Sequence, residues 1–172
     1  MRDLNAIPHI TFDLLNTPSV AGWPECGSFD LVVFSEVIEH LHVAPAYVLA
    51  FLGSVLSPRG VLICTTPNAI GISKRTRMLI GRNPYEQLRL YSRNPGHIRE
   101  YTRKELVEIA AAVGLDCRSH SYNDWIRRAN GGSIKGSIMR LLHIYPAFRP
   151  FQTFVFALRE DFSTLLSTHP ST

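Results

Sequence analysis

The sequence is poor in cysteine and contains no long apolar run. Its 172 residues include three cysteines, at uneven spacings that match no metal-binding pattern. No stretch approaches the roughly 18 consecutive apolar residues of a membrane-spanning helix. The first residues also lack the basic start and apolar segment of a secretory signal peptide. These absences predict reduced thiols and a cytoplasmic protein without a transmembrane segment.

A Gly-x-Gly triplet is also absent, because no two of the 11 glycines lie two positions apart. Such a triplet after a strand forms the loop that cradles the phosphates of nicotinamide dinucleotides. The sequence therefore argues against a nicotinamide-dependent dehydrogenase.

Positive charge is concentrated in one part of the chain. The formal net charge is +4, and residues 74–104 hold nine lysines or arginines against two glutamates. Such a stretch attracts nucleic acid, anionic lipid or acidic metabolites. The aromatic signature of RNA-binding modules is missing, so the pattern does not favour nucleic acid. An ordinary solvated surface is the simplest interpretation.

Apolar segments and amphipathic segments alternate along the chain. Continuous apolar runs predict buried strands at 29–35 and 61–65, and weaker patterns predict strands at 9–15, 115–121 and 151–159. Pro45 and a stripe of apolar residues predict a helix that ends at Ser57–Gly60. The spacing of Thr102 and Glu105 predicts a capping box for a further helix.

This alternation predicts an α/β fold with an incomplete, doubly wound and mostly parallel sheet. We expect a single domain over residues 1–172, with inserts at about 71–95 and 122–150. Ligands of such sheets bind beyond the carboxyl ends of the strands. The first apolar strand ends there in Ser35, Glu36, Glu39 and His40, and the second in Thr66–Asn68. The sequence therefore predicts a ligand crevice at this edge.

Three segments resemble one known family. FDLVVFSEVIEHL, GVLICTTPN and HIREYTRKELVEIAAAVGL occur in the order found in class I S-adenosylmethionine-dependent methyltransferases. They are most similar to the branch that includes ubiquinone-pathway O-methyltransferases and small-RNA 2′-O-methyltransferases. The resemblance covers roughly residues 9–121, with a plausible last strand at 151–159. It implies a Rossmann-like fold and S-adenosyl-L-methionine as the cofactor.

The resemblance also implies cofactor-binding residues. Asp13, or else Asn16, would lie near the adenine and accept a hydrogen bond from its amine. Ser35 and Glu36 would border the cofactor and the methyl group. Ordinary turn chemistry is the alternative for Asp13 and Asn16.

The resemblance also implies that Asn68 and Tyr101 face the substrate that accepts the methyl group. An oxygen or nitrogen nucleophile has to lose a proton, and histidine titrates near neutral pH. His40 and His97 are therefore the candidate catalytic residues. The alternatives are that a backbone carbonyl holds His40 at a helix start, and that His97 positions the following helix.

Some members of this branch hold a divalent metal in a Glu-x-x-Glu-His string with a later histidine. The matching residues here are Glu36, Glu39, His40 and His97, a set that suits manganese, iron or zinc better than magnesium. Many relatives carry the same string without a metal. The leading prediction is therefore a site without one.

The family's first strands and its glycine-rich cofactor loop have no counterpart in this sequence. We expect the chain to be part of an enzyme that methylates an oxygen or nitrogen of a small molecule. The alternative is a non-catalytic, methyltransferase-like subunit that binds a partner. Either way, one edge and one face of the 29–35 strand are expected to be uncovered, and self-association or a partner chain would cover them.

Overall fold

The computed structural model describes residues 8–89, 95–124 and 144–160, which form one four-stranded sheet with helices. The strands are β1 (Phe29–Ser35), β2 (Leu56–Pro67), β3 (Leu115–Asn123) and β4 (Phe151–Leu158). The helices are α1 (Pro45–Ser54), α2 (Ile72–Leu79) and α3 (Arg103–Ala112).

The strand order in the sheet is β1-β2-β4-β3. β1 pairs with β2 in parallel, and β4 pairs antiparallel with both β2 and β3. β1, β2 and β3 therefore point in one direction and β4 in the other. The prediction of a mixed α/β sheet with mostly parallel strands is confirmed.

Local signals in the sequence explain where the helices begin and end. Pro45 occupies the first turn of α1, where its missing amide hydrogen costs nothing. The predicted capping box of α3 is present, since the Thr102 and Glu105 side chains each accept from the other's backbone amide. Gly114 follows α3 in the left-handed region, at φ 80°.

The core lies between the sheet and the two longer helices. Phe154 and Phe156 of β4 stack at 5.4 Å between ring centroids. Leu49 of α1 and Leu106 of α3 are fully buried in the same apolar cluster. Buried and half-buried positions alternate strictly along β4, because one face of the strand is covered more completely than the other.

Two sequence predictions are wrong. Residues 9–15 form no strand, and a short 3-10 helix runs through Leu14–Asn16 instead. Residues 57–60 do not end α1, which stops at Ser54, but belong to β2. The backbone explains the second error: a Cβ at Gly60 would stand 2.6 Å from the carbonyl oxygen of Phe29, so glycine lets β2 pass an irregularity in its pairing with β1.

The inserts are only partly described. The first contains α2, and its residues 90–94 lie outside the described part of the chain. In the second, residues 125–143 lie outside it, and Pro146–Phe148 form a 3-10 helix.

β1 is an apolar strand at the edge of the sheet. Leu31 and Val33 expose 53% and 62% of their surface, on the same face as the half-exposed Phe29. Within residues 8–89, 95–124 and 144–160, no strand pairs with the outer edge of β1. The predicted uncovered face and edge are thus observed among the described residues.

We expect this edge to drive self-association. Leu31→Lys places a charge on the edge strand and should shift the protein towards monomer. Val20→Lys is the matched control, because Val20 is also an exposed aliphatic residue, at 67%, but lies in a 3-10 helix. Sedimentation velocity over a concentration series measures the outcome. A mass that stays monomeric at every concentration would contradict the expectation.

Candidate functional site

Hydrogen bonds connect a row of hydroxyl and carboxylate groups at the carboxyl ends of β1 and β2. The hydroxyls of Ser35 and Thr65 lie 2.7 Å apart, and Thr65 donates to Glu36 Oε1 at 2.8 Å. Glu36 adopts φ 53°, the sole positive φ of a non-glycine residue in the described chain. A left-handed glutamate is strained, and such strain is concentrated at functional sites. Thr65 thus links the side chains of Ser35 and Glu36 at the end of β1, and their contact with the cofactor stays a prediction.

Asp13 makes a local contact. Its carboxylate accepts from the amide of Leu15 at 3.0 Å and caps the 3-10 helix that begins there. This is the turn chemistry that the sequence left open as the alternative. A role at the adenine, for Asp13 or for Asn16, stays a prediction.

Asn68 and Tyr101 are both buried and pair through an isolated β-bridge. The Asn68 amide donates to the carbonyls of Ala147 and Arg149, at 3.0 and 2.9 Å. Both hydrogens of the amide are thus used to hold the 144–150 segment over the end of β2. The predicted contact of Asn68 and Tyr101 with an acceptor stays a prediction.

Glu39 is a fully buried carboxylate in the 3-10 helix Ile38–His40. Its Oε2 accepts from the Thr66 hydroxyl at 2.9 Å. Its Oε1 has no hydrogen-bond partner among the described residues. Burial raises the pKa of the Glu39 carboxyl above its ordinary value, and the nearby Glu36 carboxylate adds to the shift. A buried oxygen without a partner is costly and indicates a ligand position.

His40 presents one ring nitrogen towards this oxygen. Its Nδ1 lies 2.9 Å from the Gly96 carbonyl oxygen, which only accepts, so Nδ1 carries the hydrogen. Nε2 is the ring nitrogen left for a ligand, and it lies 3.8 Å from Glu39 Oε1. The carbonyl contact that the sequence left open for His40 is present, and it orients the ring.

His97 is oriented in the same way by a carboxylate. Its Nδ1 lies 3.0 Å from Glu100 Oε1, and the other oxygen of Glu100 pairs with the Lys74 ammonium. Because an ionised carboxylate only accepts, Nδ1 carries the hydrogen and Nε2 the lone pair. Burial lowers the pKa of His97, and neighbouring His40 lowers it further. The two rings meet edge to face at 4.9 Å between centroids.

Glu39, His40 and His97 together form a candidate metal cluster. One ligand atom from each lies within 4.8 Å of the other two. Glu36, the fourth residue of the predicted set, is instead hydrogen-bonded by Thr65 and lies outside this cluster. An unpartnered buried oxygen and two imidazole lone pairs fit a divalent transition metal such as manganese, iron or zinc.

A cleft of about 540 Å³ opens beside the cluster. His97 and Glu100 line it from the cluster's side, and Tyr85 and Leu88 line it from the insert that contains α2. Its size is that of a small-molecule site. The lining combines apolar surface with the groups that orient His97.

The sequence of residues 4–120, more than half of the chain, matches a family model described as a methyltransferase domain. The chain belongs to this methyltransferase family. The predicted class I family and its Rossmann-like fold are thereby confirmed, whereas the ubiquinone-pathway branch stays a prediction. Comparison with curated proteins gives no significant match.

Two solved structures share the methyltransferase fold. The CcbJ methyltransferase from Streptomyces caelestis is 13% identical, with a TM-score of 0.52 over 79% of this chain and 59% of that one. A complex between the Haloferax volcanii Trm112 methyltransferase activator and a methyltransferase gives 11% identity and a TM-score of 0.52, over 77% and 54%. The chain thus spans 54–59% of the length of these two structures.

Sequence reasoning missed several supporting residues of this methyltransferase domain. Gln152 is fully buried on β4 and donates to the Tyr101 carbonyl at 2.7 Å. Lys74 reaches Glu100 from α2, and the basic stretch that contains it gave no sign that one member is half-buried. The Thr-Thr-Pro string at the end of β2 was a usable signal, because both hydroxyls bind carboxylates. In the described residues no helix has the length and apolar character to cross a membrane.

The buried Glu39 predicts a pH-dependent effect of Glu39→Gln in metal-free protein. Since folding raises the pKa of Glu39, its ionisation destabilises the folded state as the pH rises above about 4.3. The free energy of unfolding of Glu39→Gln, relative to the original protein, should therefore rise between about pH 4 and 8. Urea unfolding at a series of pH values measures this difference.

Glu105→Gln is the control of opposite sign. The backbone hydrogen bond at Thr102 is the main reason that the pKa of Glu105 lies below its ordinary value. Its carboxylate therefore stabilises the folded state above the unfolded pKa, and this variant should lose relative stability as the pH rises. The same trend in both variants would contradict the assignment.

Proposed function

We propose that this methyltransferase domain supplies the acceptor side of an enzyme that transfers a methyl group from S-adenosylmethionine to an oxygen or nitrogen of a small molecule. The observation that carries the proposal is Glu39 Oε1, which has no hydrogen-bond partner in the described part of the chain and lies near two oriented imidazoles. It lies beside a cleft of small-molecule size. A group of this kind is built to remove a proton or to hold a cation, and either activates a nucleophile.

The donor side is formed by the strained turn after β1. Bound S-adenosylmethionine supplies an already activated methyl group, so the protein's task is alignment and the exclusion of water. Ser35 and Glu36 are fixed by Thr65 and are proposed to border the cofactor. Asp13 is proposed at the adenine. The sequence has no Gly-x-Gly loop to hold the rest of the cofactor.

His40 and His97 are the proposed proton acceptors for the nucleophile. Each uses Nδ1 as a hydrogen-bond donor, which leaves Nε2 for the nucleophile. His97 also lines the cleft, so it is the better placed of the two to meet an acceptor hydroxyl or amine. Glu100 acts through His97 and is a positioning residue.

The same three residues fit a metal-assisted form of the reaction. Glu39, His40 and His97 would hold the ion, and Glu100 and the Gly96 carbonyl would orient the two rings. A bound divalent ion would supply positive charge that lowers the pKa of an acceptor hydroxyl. Glu39 Oε1, which has no hydrogen-bond partner among the described residues, favours the metal-assisted reaction over proton transfer without a metal.

Metal binding can be measured without any assay of activity. The metal-free protein should bind one cobalt(II) ion, which is detected by the visible absorption of protein-bound cobalt. Glu39→Gln or His97→Ala should abolish this binding. Glu100→Gln should weaken binding about 10–100-fold, because the ring of His97 loses its acceptor. Calorimetry provides the affinities.

Glu86→Gln is the control for this titration, since Glu86 lines the same cleft but lies outside the cluster. Binding that is absent, or that all four variants share, would remove the metal-assisted form.

Cofactor binding tests the proposal itself. We expect weak binding, visible as saturation transfer to S-adenosylmethionine in ligand-detected NMR at millimolar concentration, and not shared by ATP. Glu36→Gln should reduce the transfer. Asp30→Asn is the control, because Asp30 lies at the other end of β1. An absence of transfer would overturn methyl transfer, and a micromolar dissociation constant would contradict the weak binding expected without a glycine loop.

The second candidate is a methyltransferase-like module that binds a partner and no cofactor. The exposed apolar face of β1 favours it. Loss of association in Leu31→Lys together with an absence of saturation transfer would select this candidate.

A further inference from the structure

Three aliphatic side chains project in succession from the end of α2. Met78, Leu79 and Ile80 expose 61%, 85% and 66% of their surface, and we call these three residues the aliphatic tip. Single exposed aliphatic side chains are ordinary on a protein surface. Three consecutive ones at this exposure form an apolar projection that calls for an explanation.

Backbone hydrogen bonds fix the shape of the aliphatic tip. The Arg82 amide donates to the Arg77 carbonyl at 2.8 Å, and the Gly81 amide donates to the Met78 carbonyl at 3.0 Å. This pair of bonds is the Schellman ending of a helix, with Gly81 in the left-handed region at φ 71°. The aliphatic tip is therefore a defined turn, and its exposure is not a consequence of missing backbone structure.

Free arginines flank the aliphatic tip on both sides. Arg77 and Arg82 are exposed, and their side chains make no hydrogen bond or ion pair with any described residue. Both line a surface hollow of about 650 Å³, together with Asn83, Tyr85, Glu86 and Gln87. The Glu86 carboxylate pairs with Arg89 at 3.3 Å. Residues 69–85 contain no aspartate or glutamate, so the surroundings of the aliphatic tip are cationic.

We propose that the aliphatic tip docks on an anionic lipid surface. Met78, Leu79 and Ile80 enter the acyl boundary, and Arg77 and Arg82 bind lipid phosphates at the level of the headgroups. Interfacial segments combine these two attractions, because neither a small apolar insertion nor a few basic residues holds a protein on a membrane alone. The cations on both sides of the apolar projection complement a negatively charged, apolar-cored surface.

Other occupants fit the same residues less well. Proteins that bind single-stranded nucleic acid stack bases on aromatic rings, and the aliphatic tip has no ring. A stable protein interface buries about 800 Å² on each side around aromatic or arginine anchors, and a projection of three aliphatic residues is small for that purpose.

Vesicle co-sedimentation of the full chain tests the proposal. The probes are vesicles of phosphatidylcholine alone and vesicles with about 30% phosphatidylglycerol. We expect binding to the anionic vesicles only, and weaker binding when sodium chloride is raised from about 0.1 to 0.5 M. Leu79→Ser should weaken binding about tenfold. The double variant Arg77→Glu/Arg82→Glu should weaken it about thirtyfold or more.

Matched controls separate the aliphatic tip from general surface properties. Val20→Ser removes another exposed aliphatic side chain, 67% exposed, outside the aliphatic tip. Arg59→Glu/Lys104→Glu makes the same change in net charge with exposed residues outside the tip. Both controls should bind as the original protein does, and circular dichroism checks that every variant is folded.

The proposal would be overturned if the protein did not bind anionic vesicles, or if it bound neutral vesicles equally well. It would also be overturned if the control variants lost as much vesicle binding as the tip variants. Release of the protein from the vesicles by a single-stranded oligonucleotide would overturn it as well. Self-association that is lost in Leu79→Ser, measured without lipid, would also overturn it and assign the aliphatic tip to a protein contact.

Discussion

The buried carboxylate of Glu39 is the constraint on which the candidate site depends. An ionisable group without water costs several kcal/mol unless nearby groups compensate for it. Thr66 compensates for one oxygen, and the backbone of Glu39 is held by the amides of Ile98 and Arg99, at 2.7 and 3.2 Å. The other oxygen is left to two imidazoles. This oxygen is therefore the point of the candidate site where a proton or a cation would relieve the cost of burial.

Each ring beside Glu39 is oriented by a different kind of acceptor. A backbone carbonyl holds His40, and a carboxylate paired with a lysine holds His97. Both arrangements place the hydrogen on Nδ1 and leave Nε2 for chemistry. Two independent hydrogen bonds thus orient the two rings in the same way. They explain how the site stays ordered where β1, the 95–100 segment and the insert meet.

The sequence was informative wherever a local pattern determined the structure. The bounds of β1, the proline start of α1 and the capping box of α3 all follow from short-range rules. The acids and the histidine after β1 lie at the edge of the sheet where the candidate site is found. The strand expected at 9–15 is absent, and its last residues instead enter the 3-10 helix Leu14–Asn16, which the Asp13 side chain caps. The Lys74–Glu100 pair was not predictable, since it joins α2 to a loop 26 positions away along the chain. The left-handed Glu36 was equally hidden, because nothing in its neighbours demands a positive φ.

The segment that carries His97 is attached to the Ile38–His40 turn by the amides of Ile98 and Arg99, which donate to the Glu39 carbonyl, and by the His40 ring, which donates to the Gly96 carbonyl. Tyr85 and Leu88, which also line the cleft, make none of these bonds. Their side chains can therefore be exchanged without removing the bonds that hold the histidine. The groups that shape the cleft are in this way separate from the groups that orient its reactive ring.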